Sequence, residues 1–341
     1  MLSPASQVLS RNSELFSQGN WLLVNPTDAY VANELAPQQC TVFHQFYDIY
    51  QQSQRVAKHA KHVFAASLTT EQQFDGAVLY MPKAKEHAVM LLANIAAYLK
   101  PGASLLLVGE NKSGVKSAAK LLEPYCQHVN KIDSARHCAL YGGQLTESVK
   151  PFELSQWQSV KTITIAGLSY QICSLPGVFN HGQVDNGTRL LLENLPHYHA
   201  GRVLDFGCGA GIIGCFIALK NPQSKVVMSD VSALAVHCAK QSAELNGLTV
   251  EVVASDGLQD VQPKFTTVIT NPPFHTGIQT DYSVTENFIS DLKGHLTSEG
   301  TLILVANQFL RYAELLEKRF KAVNLVTQTS QFSLYHCLRC K

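Results

Sequence analysis

The sequence lacks the features that would tie it to a membrane or an oxidising compartment. Met1-Leu2-Ser3-Pro4-Ala5-Ser6-Gln7 has neither a basic start nor an apolar run, so no secretory leader is expected. No window reaches the roughly 18 consecutive apolar residues of a membrane span. The 9 cysteines follow no regular framework, and an odd number cannot all pair within one chain. A cytoplasmic protein with reduced thiols is expected. Charge is scarce too: 27 Lys and Arg against 26 Asp and Glu leave a net charge of +1. That balance gives no global pull toward nucleic acid, so such a partner would need local basic patches or recognition by shape. Only 16% of residues are charged while 46% are hydrophobic, which argues against long disordered tails. At 341 residues the chain favours about two domains, each able to bury a core.

What is present is a strand–helix alternation, run through twice. In the second half, Arg202-Val203-Leu204-Asp205 reads as a buried strand, followed by a glycine loop and a helix from Ile212 to Leu219. Strands are predicted at Lys225 to Ser229, Val250 to Val253, Thr267 to Thr270 and Thr301 to Val305, with helices at Ala233 to Leu245 and Glu286 to His295. Ala322 to Thr327 and Phe332 to Leu338 are expected as a closing antiparallel pair. The first half carries the same plan more weakly. A strand at Gly76 to Tyr80 ends in Met81-Pro82, a helix follows from Glu86 to Leu99, and Lys100-Pro101-Gly102 turns into a strand at Ser104 to Val108. Pro82 matches Pro273 and Gly102 matches Gly300, so an internal duplication is predicted. Residues 1–150 and 151–341 are the expected domains, the second led by a β-hairpin across Thr162 to Cys173. Thr188 is the expected cap of a helix beginning at Arg189.

The two halves diverge where a ligand would bind. Asp205-Phe206-Gly207-Cys208-Gly209-Ala210-Gly211 lies between a strand and a helix, where glycines let the backbone bend tightly and touch a ligand. It is not the G-x-G-x-x-G dinucleotide pattern, since an acidic residue precedes glycines at every second position. Such a loop repels a pyrophosphate and suits a cationic ligand, which points to the amino-acid end of S-adenosylmethionine. Asp230, with Val231 beside it, closes the next strand, where a carboxylate can accept from ribose hydroxyls. Ser255-Asp256-Gly257 closes the third, with Asp256 placed for the adenine amino group. Each feature alone is a common turn or cap; in order at successive strand ends they mark a cofactor crevice. The first half has only Val24-Asn25-Pro26-Thr27-Asp28 at the matching point, so no cofactor is expected there.

Asn271-Pro272-Pro273-Phe274 follows the fourth strand. Consecutive prolines stop ladder pairing and stiffen the backbone, which suits a reaction governed by alignment. The Asn271 side-chain oxygen and the Pro272 carbonyl can accept both hydrogens of a conjugated amino nitrogen, localising its lone pair. Phe274 offers a face for a flat base, and His275 either touches substrate or caps the next helix. The alternative reading of this segment is a proline turn with a core Phe. Adenine N6, guanine N2 and glutamine N5 all satisfy the tetrapeptide. No cysteine stands beside Pro272 or Pro273, which argues against cytosine-C5 chemistry. Cys337-Leu338-Arg339-Cys340 lacks a second ligand pair for zinc, so no metal is expected. Lys112, Lys116 and Lys120 on one helical side, and Arg311, Lys318, Arg319 and Lys321, read as solvated surface.

The glycine loop with Asn271 to Phe274 resembles the class I Rossmann-like methyltransferases that act on amino nitrogens. Pro176-Gly177-Val178-Phe179, Asp185-x-Gly187-Thr188, Asn271 to His275 and the degenerate first half together resemble the ribosomal RNA small subunit methyltransferase C family. The resemblance implies two tandem α/β domains with seven-stranded sheets and an antiparallel closing strand. It also implies S-adenosylmethionine as cofactor and methylation of one guanosine N2 in 16S rRNA of the assembled 30S subunit. The first domain would then support folding and substrate binding. A monomer is expected. The other readings are adenine-N6 or glutamine-N5 methylation, or a non-catalytic RNA-binding assembly protein.

Overall fold

The computed structural model describes all residues except Gly182, Pro263, 273–279, Leu310 and Arg311, and the side chains of 280–285 are likewise not described. The chain divides into two compact units, Met1–Gln158 and Ser159–Lys341.

In the first unit the strands are β1 (Asn20–Val24), β2 (Gln39–His44), β3 (Lys61–Phe64), β4 (Phe74–Tyr80), β5 (Leu99–Glu110), β6 (Cys126–Ala135) and β7 (Cys138–Leu145). They form one sheet of seven in the order β3-β2-β1-β4-β5-β7-β6. The first five are parallel, and β7 runs antiparallel to both β5 and β6. Parallel strands are buried on both faces, and this sheet shows it. Leu22, Val24, Phe43 and Leu79 pack into one core, while Trp21, Leu23, Val42 and Val78 pack into another on the opposite face.

The second unit opens with an isolated hairpin, β8 (Ser159–Ile165) and β9 (Leu168–Ser174). Its turn residues Ala166 and Gly167 have φ of 49° and 80°, the left-handed pair that a two-residue hairpin turn demands. Then come β10 (Arg202–Phe206), β11 (Lys225–Asp230), β12 (Glu251–Ala254), β13 (Phe265–Thr270), β14 (Leu296–Asn307), β15 (Phe320–Gln328) and β16 (Phe332–Cys340). The order β12-β11-β10-β13-β14-β16-β15 repeats that of the first sheet strand for strand. Leu204, Val227, Val268, Leu302 and Leu304 share one core with Phe288, Leu292 and Leu316. In each sheet the chain moves outward on one side of the central strand and then crosses to the other, so the switch point falls between β1 and β4, and between β10 and β13. Ligands of such sheets bind at the carboxyl ends flanking that point.

Several local expectations shift. The first-half helix runs Lys85–Ala96, stopping short of Leu99, because Phe74 N–H donates to the Tyr98 carbonyl (2.9 Å) and draws the chain into β5. The helix expected from Glu86 is thus one residue longer at its start. The helix expected at Glu286 begins at Thr280. The helix expected from Arg189 spans Asn186–Glu193, and its cap is Asp185, not Thr188: the Asp185 carboxylate accepts from the Gly187 and Thr188 N–H groups. Lys112, Lys116 and Lys120 do not share one helix, since Gly114 at φ 84° separates two short 3-10 turns before the helix Ala118–Leu122. Of the second basic run, Arg311 lies outside the described residues. Cys337 and Cys340 both lie in β16, and among the described residues no group of three or more side chains suits a metal ion. No helix of the described residues is long and apolar enough to cross a membrane.

Candidate active site

The glycine loop leaves β10 at the switch point. Gly207, Gly209 and Gly211 all have positive φ (70°, 53° and 82°), which accounts for the alternating glycines. The N–H groups of Gly207 and Cys208 both donate to the Ser229 carbonyl (2.9 and 3.0 Å), stitching the loop to the end of β11. Gly209 N–H donates to Asp230 Oδ2 (2.9 Å), and Ser232 N–H to Asp230 Oδ1 (2.9 Å). Asp230 therefore joins the glycine loop to the start of the next helix. Ser255 N–H donates to the Asp230 carbonyl (3.0 Å), which sets Ser255 and its neighbours Asp256 and Gly257 beside it. Val231 is half-buried next to Asp230. A Cβ at Gly209 or Gly257 would meet nothing within 4 Å, so the glycine loop and the turn after β12 each face open space at that point.

Asp205 is 1% exposed. Its Oδ2 accepts from Gly214 N–H at 2.8 Å, while Oδ1 is buried with no hydrogen-bond partner. Burial pushes this carboxyl up to about 7, against the pull of the Gly214 N–H and aided by the charge of Asp230. Burial also raises Asp230. An orphaned buried carboxylate oxygen calls for a cationic donor, and the ammonium of S-adenosylmethionine is one. The residues that could hold that cofactor are Asp205 at its amino-acid end, Gly207, Cys208, Gly209 and Gly211 along the loop, Asp230 and Val231 at the ribose, and Ser255, Asp256 and Gly257 at the base. Burial raises the Cys208 thiol well above its ordinary value, which keeps it a neutral lining residue rather than a nucleophile.

The strand β13 lies directly beside β10, with Phe206 opposite Thr270. The Thr270 hydroxyl donates to the Phe206 carbonyl at 2.8 Å. Gly207 and Asn271 therefore leave adjacent strand ends together. The Asn271 Nδ2 donates to Asp185 Oδ2 and to Thr188 Oγ1, both at 3.0 Å. With both amide hydrogens so engaged, the planar side chain turns its oxygen away from that helix end. Pro272 is buried. Pro273, Phe274 and His275 lie outside the described residues.

Two contributors carried no readable mark in the sequence, and a third carried only a partial one. The Ser242 hydroxyl donates to the Ala210 carbonyl (2.8 Å) and accepts from Cys173 N–H (3.0 Å), fastening the glycine loop to β9. The Tyr170 hydroxyl donates to the Ile212 carbonyl at 3.0 Å. Asp185 meets Asn271 across 86 positions of sequence. Only the D-x-G-T pattern hinted at Asp185, and nothing in it indicates the partner.

The first unit shows what the same strand ends become with other side chains. Asn25 N–H donates to the Phe43 carbonyl (2.8 Å) as Gly207 does to Ser229, and Ala65 N–H to the His44 carbonyl (3.3 Å) as Ser255 does to Asp230. By this register Leu23, His44, Ala66 and Tyr80 stand where Asp205, Asp230, Asp256 and Asn271 stand in the second unit. Asn25 reaches φ 52° without being glycine, as asparagine tolerates, so the turn survives. Its side chain, however, exchanges hydrogen bonds with buried Gln45 (Nδ2 to Oε1 2.8 Å, Gln45 N–H to Oδ1 2.7 Å). Gln45 Nε2 donates to the Ala66 carbonyl and His87 Nε2 to Gln45 Oε1, both at 2.7 Å. Burial lowers His87 to about 4, keeping it neutral. These polar groups satisfy one another.

Family models match both units: "Methyltransferase small domain" over residues 169–336 and "Methyltransferase small domain N-terminal" over residues 6–160. The chain is 58% identical to a ribosomal RNA small subunit methyltransferase C of Pseudoalteromonas atlantica, covering 99% of this chain and all of that one. It is 42% identical to that of Alteromonas mediterranea, covering 98% and 99% of the two chains. Among solved structures, a T. thermophilus 16S rRNA N2 methyltransferase in complex with AdoMet and guanosine shares the fold. Its TM-score is 0.85 at 23% identity, covering 99% of this chain and 92% of that one.

Proposed function

The chain belongs to the ribosomal RNA small subunit methyltransferase C family, and from that premise we propose that it transfers a methyl group from S-adenosylmethionine to the exocyclic N2 of a guanosine in 16S rRNA. The observation that carries the reading is the meeting of the Gly207 loop and the Asn271 turn at the adjacent ends of β10 and β13. The cofactor, when bound, supplies a methyl group on a sulfonium centre. The chain supplies the alignment. Asp205 and Asp230 hold the cofactor, and the Asn271 oxygen and Pro272 carbonyl accept the two N–H bonds of the amino group. Those acceptors pull the nitrogen out of conjugation and aim its lone pair. Phe274 is the residue assigned to stack on the base, and His275 either touches the base or caps the next helix. As the N–C bond forms and the methyl group leaves sulfur, one of the two nitrogen-bound protons is released to water.

The remaining assignments rest on the same reading. The substrate is the assembled small subunit, the protein is a cytoplasmic monomer, and residues 1–150 support folding and substrate binding. Leu23, His44, Ala66 and Tyr80, at the positions of Asp205, Asp230, Asp256 and Asn271, leave that unit without a cofactor site. The turn alone suits adenine N6 or glutamine N5 as well; family membership favours guanine N2. Incubation of the protein with methyl-labelled S-adenosylmethionine and separated ribosomal subunits lacking this modification, followed by nucleoside analysis, tests the proposal. Label is expected as N2-methylguanosine in small-subunit RNA. Label in large-subunit RNA, in protein or on adenine overturns it.

A further inference from the structure

Asn271 does not set its own orientation. An amide nitrogen carries two hydrogens, and those of Asn271 reach Asp185 Oδ2 and Thr188 Oγ1. A carboxylate only accepts, so the edge facing Asp185 is the nitrogen edge. Rotating the amide by half a turn would bring its oxygen against the carboxylate. Asp185 is itself fixed. It caps the helix Asn186–Glu193, with Gly187 N–H on Oδ1 at 2.8 Å and Thr188 N–H on both oxygens at 3.2 and 3.3 Å. A Cβ on Gly187 would lie 3.0 Å from Asp185 Oδ1 and 3.1 Å from the Phe332 ring, so the cap is seated against β16. Thr188 is buried, which holds its hydroxyl in place.

A guanine carries its 2-amino group and a carbonyl oxygen on the same edge, with a ring N–H between them. An oxygen aimed at the base attracts the amino group; an NH2 aimed there attracts the carbonyl and repels the amino group. The orientation of one amide therefore selects which atom can approach the methyl donor. A carboxylate that accepts from an amide N–H also draws density toward the amide oxygen, which strengthens it as an acceptor.

We propose that Asp185 and Thr188 are positioning residues that hold both amide hydrogens of Asn271, so that its oxygen alone meets the reacting nitrogen and an amino group is chosen over a carbonyl. This rests on the function proposed above, in which Asn271 accepts from that nitrogen.

The test is steady-state kinetics on the full chain, with cofactor affinity and melting temperature measured in parallel. Asp185→Asn keeps a good helix cap but faces Asn271 with a donor, which favours the reversed amide. Its kcat is expected to fall by about 100-fold or more, as when an oriented polar contact to the reacting group is lost. Cofactor Kd, KM for RNA and melting temperature are expected to stay near wild type. Thr188→Val, which removes one acceptor, is expected to lose about tenfold in kcat, and Thr188→Ser to recover it. A wild-type kcat in Asp185→Asn, losses that track melting temperature or cofactor affinity, or equal behaviour of the Val and Ser variants overturns the proposal. Nucleoside analysis of the wild-type product separates this from the underlying reading. A product other than N2-methylguanosine overturns the function, whereas N2-methylguanosine with a fully active Asp185→Asn overturns only the positioning role.

Discussion

At the residue scale, the proposed role of Asp205 would make cofactor binding a matter of pH. Its carboxyl sits above the ordinary value of 3.8, at about 7, chiefly because it is buried. A raised folded-state value means that the contribution to stability is whole below the unfolded-state value and is lost as pH rises through the folded one. A bound ammonium reverses the balance by favouring the ionised form. Binding then releases a proton, and affinity strengthens as pH climbs toward about 7 before levelling. Titration calorimetry is expected to show the Kd for S-adenosylmethionine weakening by up to about tenfold per pH unit below pH 7, the limit for one linked proton. Asp205→Asn should bind more weakly above pH 7 and show a shallower slope, the remainder belonging to Asp230, which burial also raises. A wild-type Kd that does not change from about pH 6 to about pH 8 would contradict this linkage.

At the element scale, the glycine loop divides its work between folding and binding. Gly211 caps the helix Ile212–Lys220 at φ 82°, and a Cβ there would stand 3.1 Å from Ala239 Cα and 3.2 Å from Met228 Sδ. Gly209 has positive φ but open space where a Cβ would go. Gly211→Ala is therefore expected to destabilise the protein by about 2 to 4 kcal/mol, from left-handed strain plus overpacking. Gly209→Ala should cost only the strain, roughly 1 to 2 kcal/mol, yet weaken cofactor binding by intruding on the site. Denaturant unfolding and calorimetry on the pair check this; a Gly211→Ala protein as stable as wild type would contradict it.

The same loop shows what sequence can and cannot convey. Asp205 to Gly211, Asp230 and Asn271-Pro272 were legible because strand ends, positive φ and ladder termination each demand particular residue types locally. Asp185 was missed as the cap because Asp185-Asn186-Gly187-Thr188 offers two capping side chains, and only the path of the chain chooses between them. Its bond to Asn271, and that of Ser242 to Ala210, join residues with no local relation. No periodicity records such pairs. In the Lys112 to Lys120 run, helical spacing was outweighed by one glycine, Gly114, taking a left-handed conformation.

At the scale of the whole molecule, two sheets of identical strand order carry different chemistry at their switch points. The duplication was legible from the repeated strand–helix plan around Pro82 and Pro273, although the registers pair Gly300 with Ala103 and not with Gly102 as expected. The fate of the first crevice was not, because the missing glycines said only that no cofactor is expected there, whereas the structure shows Asn25 keeping the turn and bonding with Gln45, itself bonded to His87. Hydrogen bonds that satisfy one another leave nothing for a cationic ligand, while Asp205 retains an unpartnered oxygen. Cofactor and amino nitrogen should therefore meet in the second unit alone, with Asn271 as the contact that turns binding into transfer. The most direct measurement is methyl transfer by full-length Asn271→Ala alongside a cofactor titration of the same sample. One equivalent of S-adenosylmethionine should bind per chain at near wild-type affinity, with turnover reduced by about 100-fold or more. Undiminished turnover, or a second equivalent bound, would contradict the account.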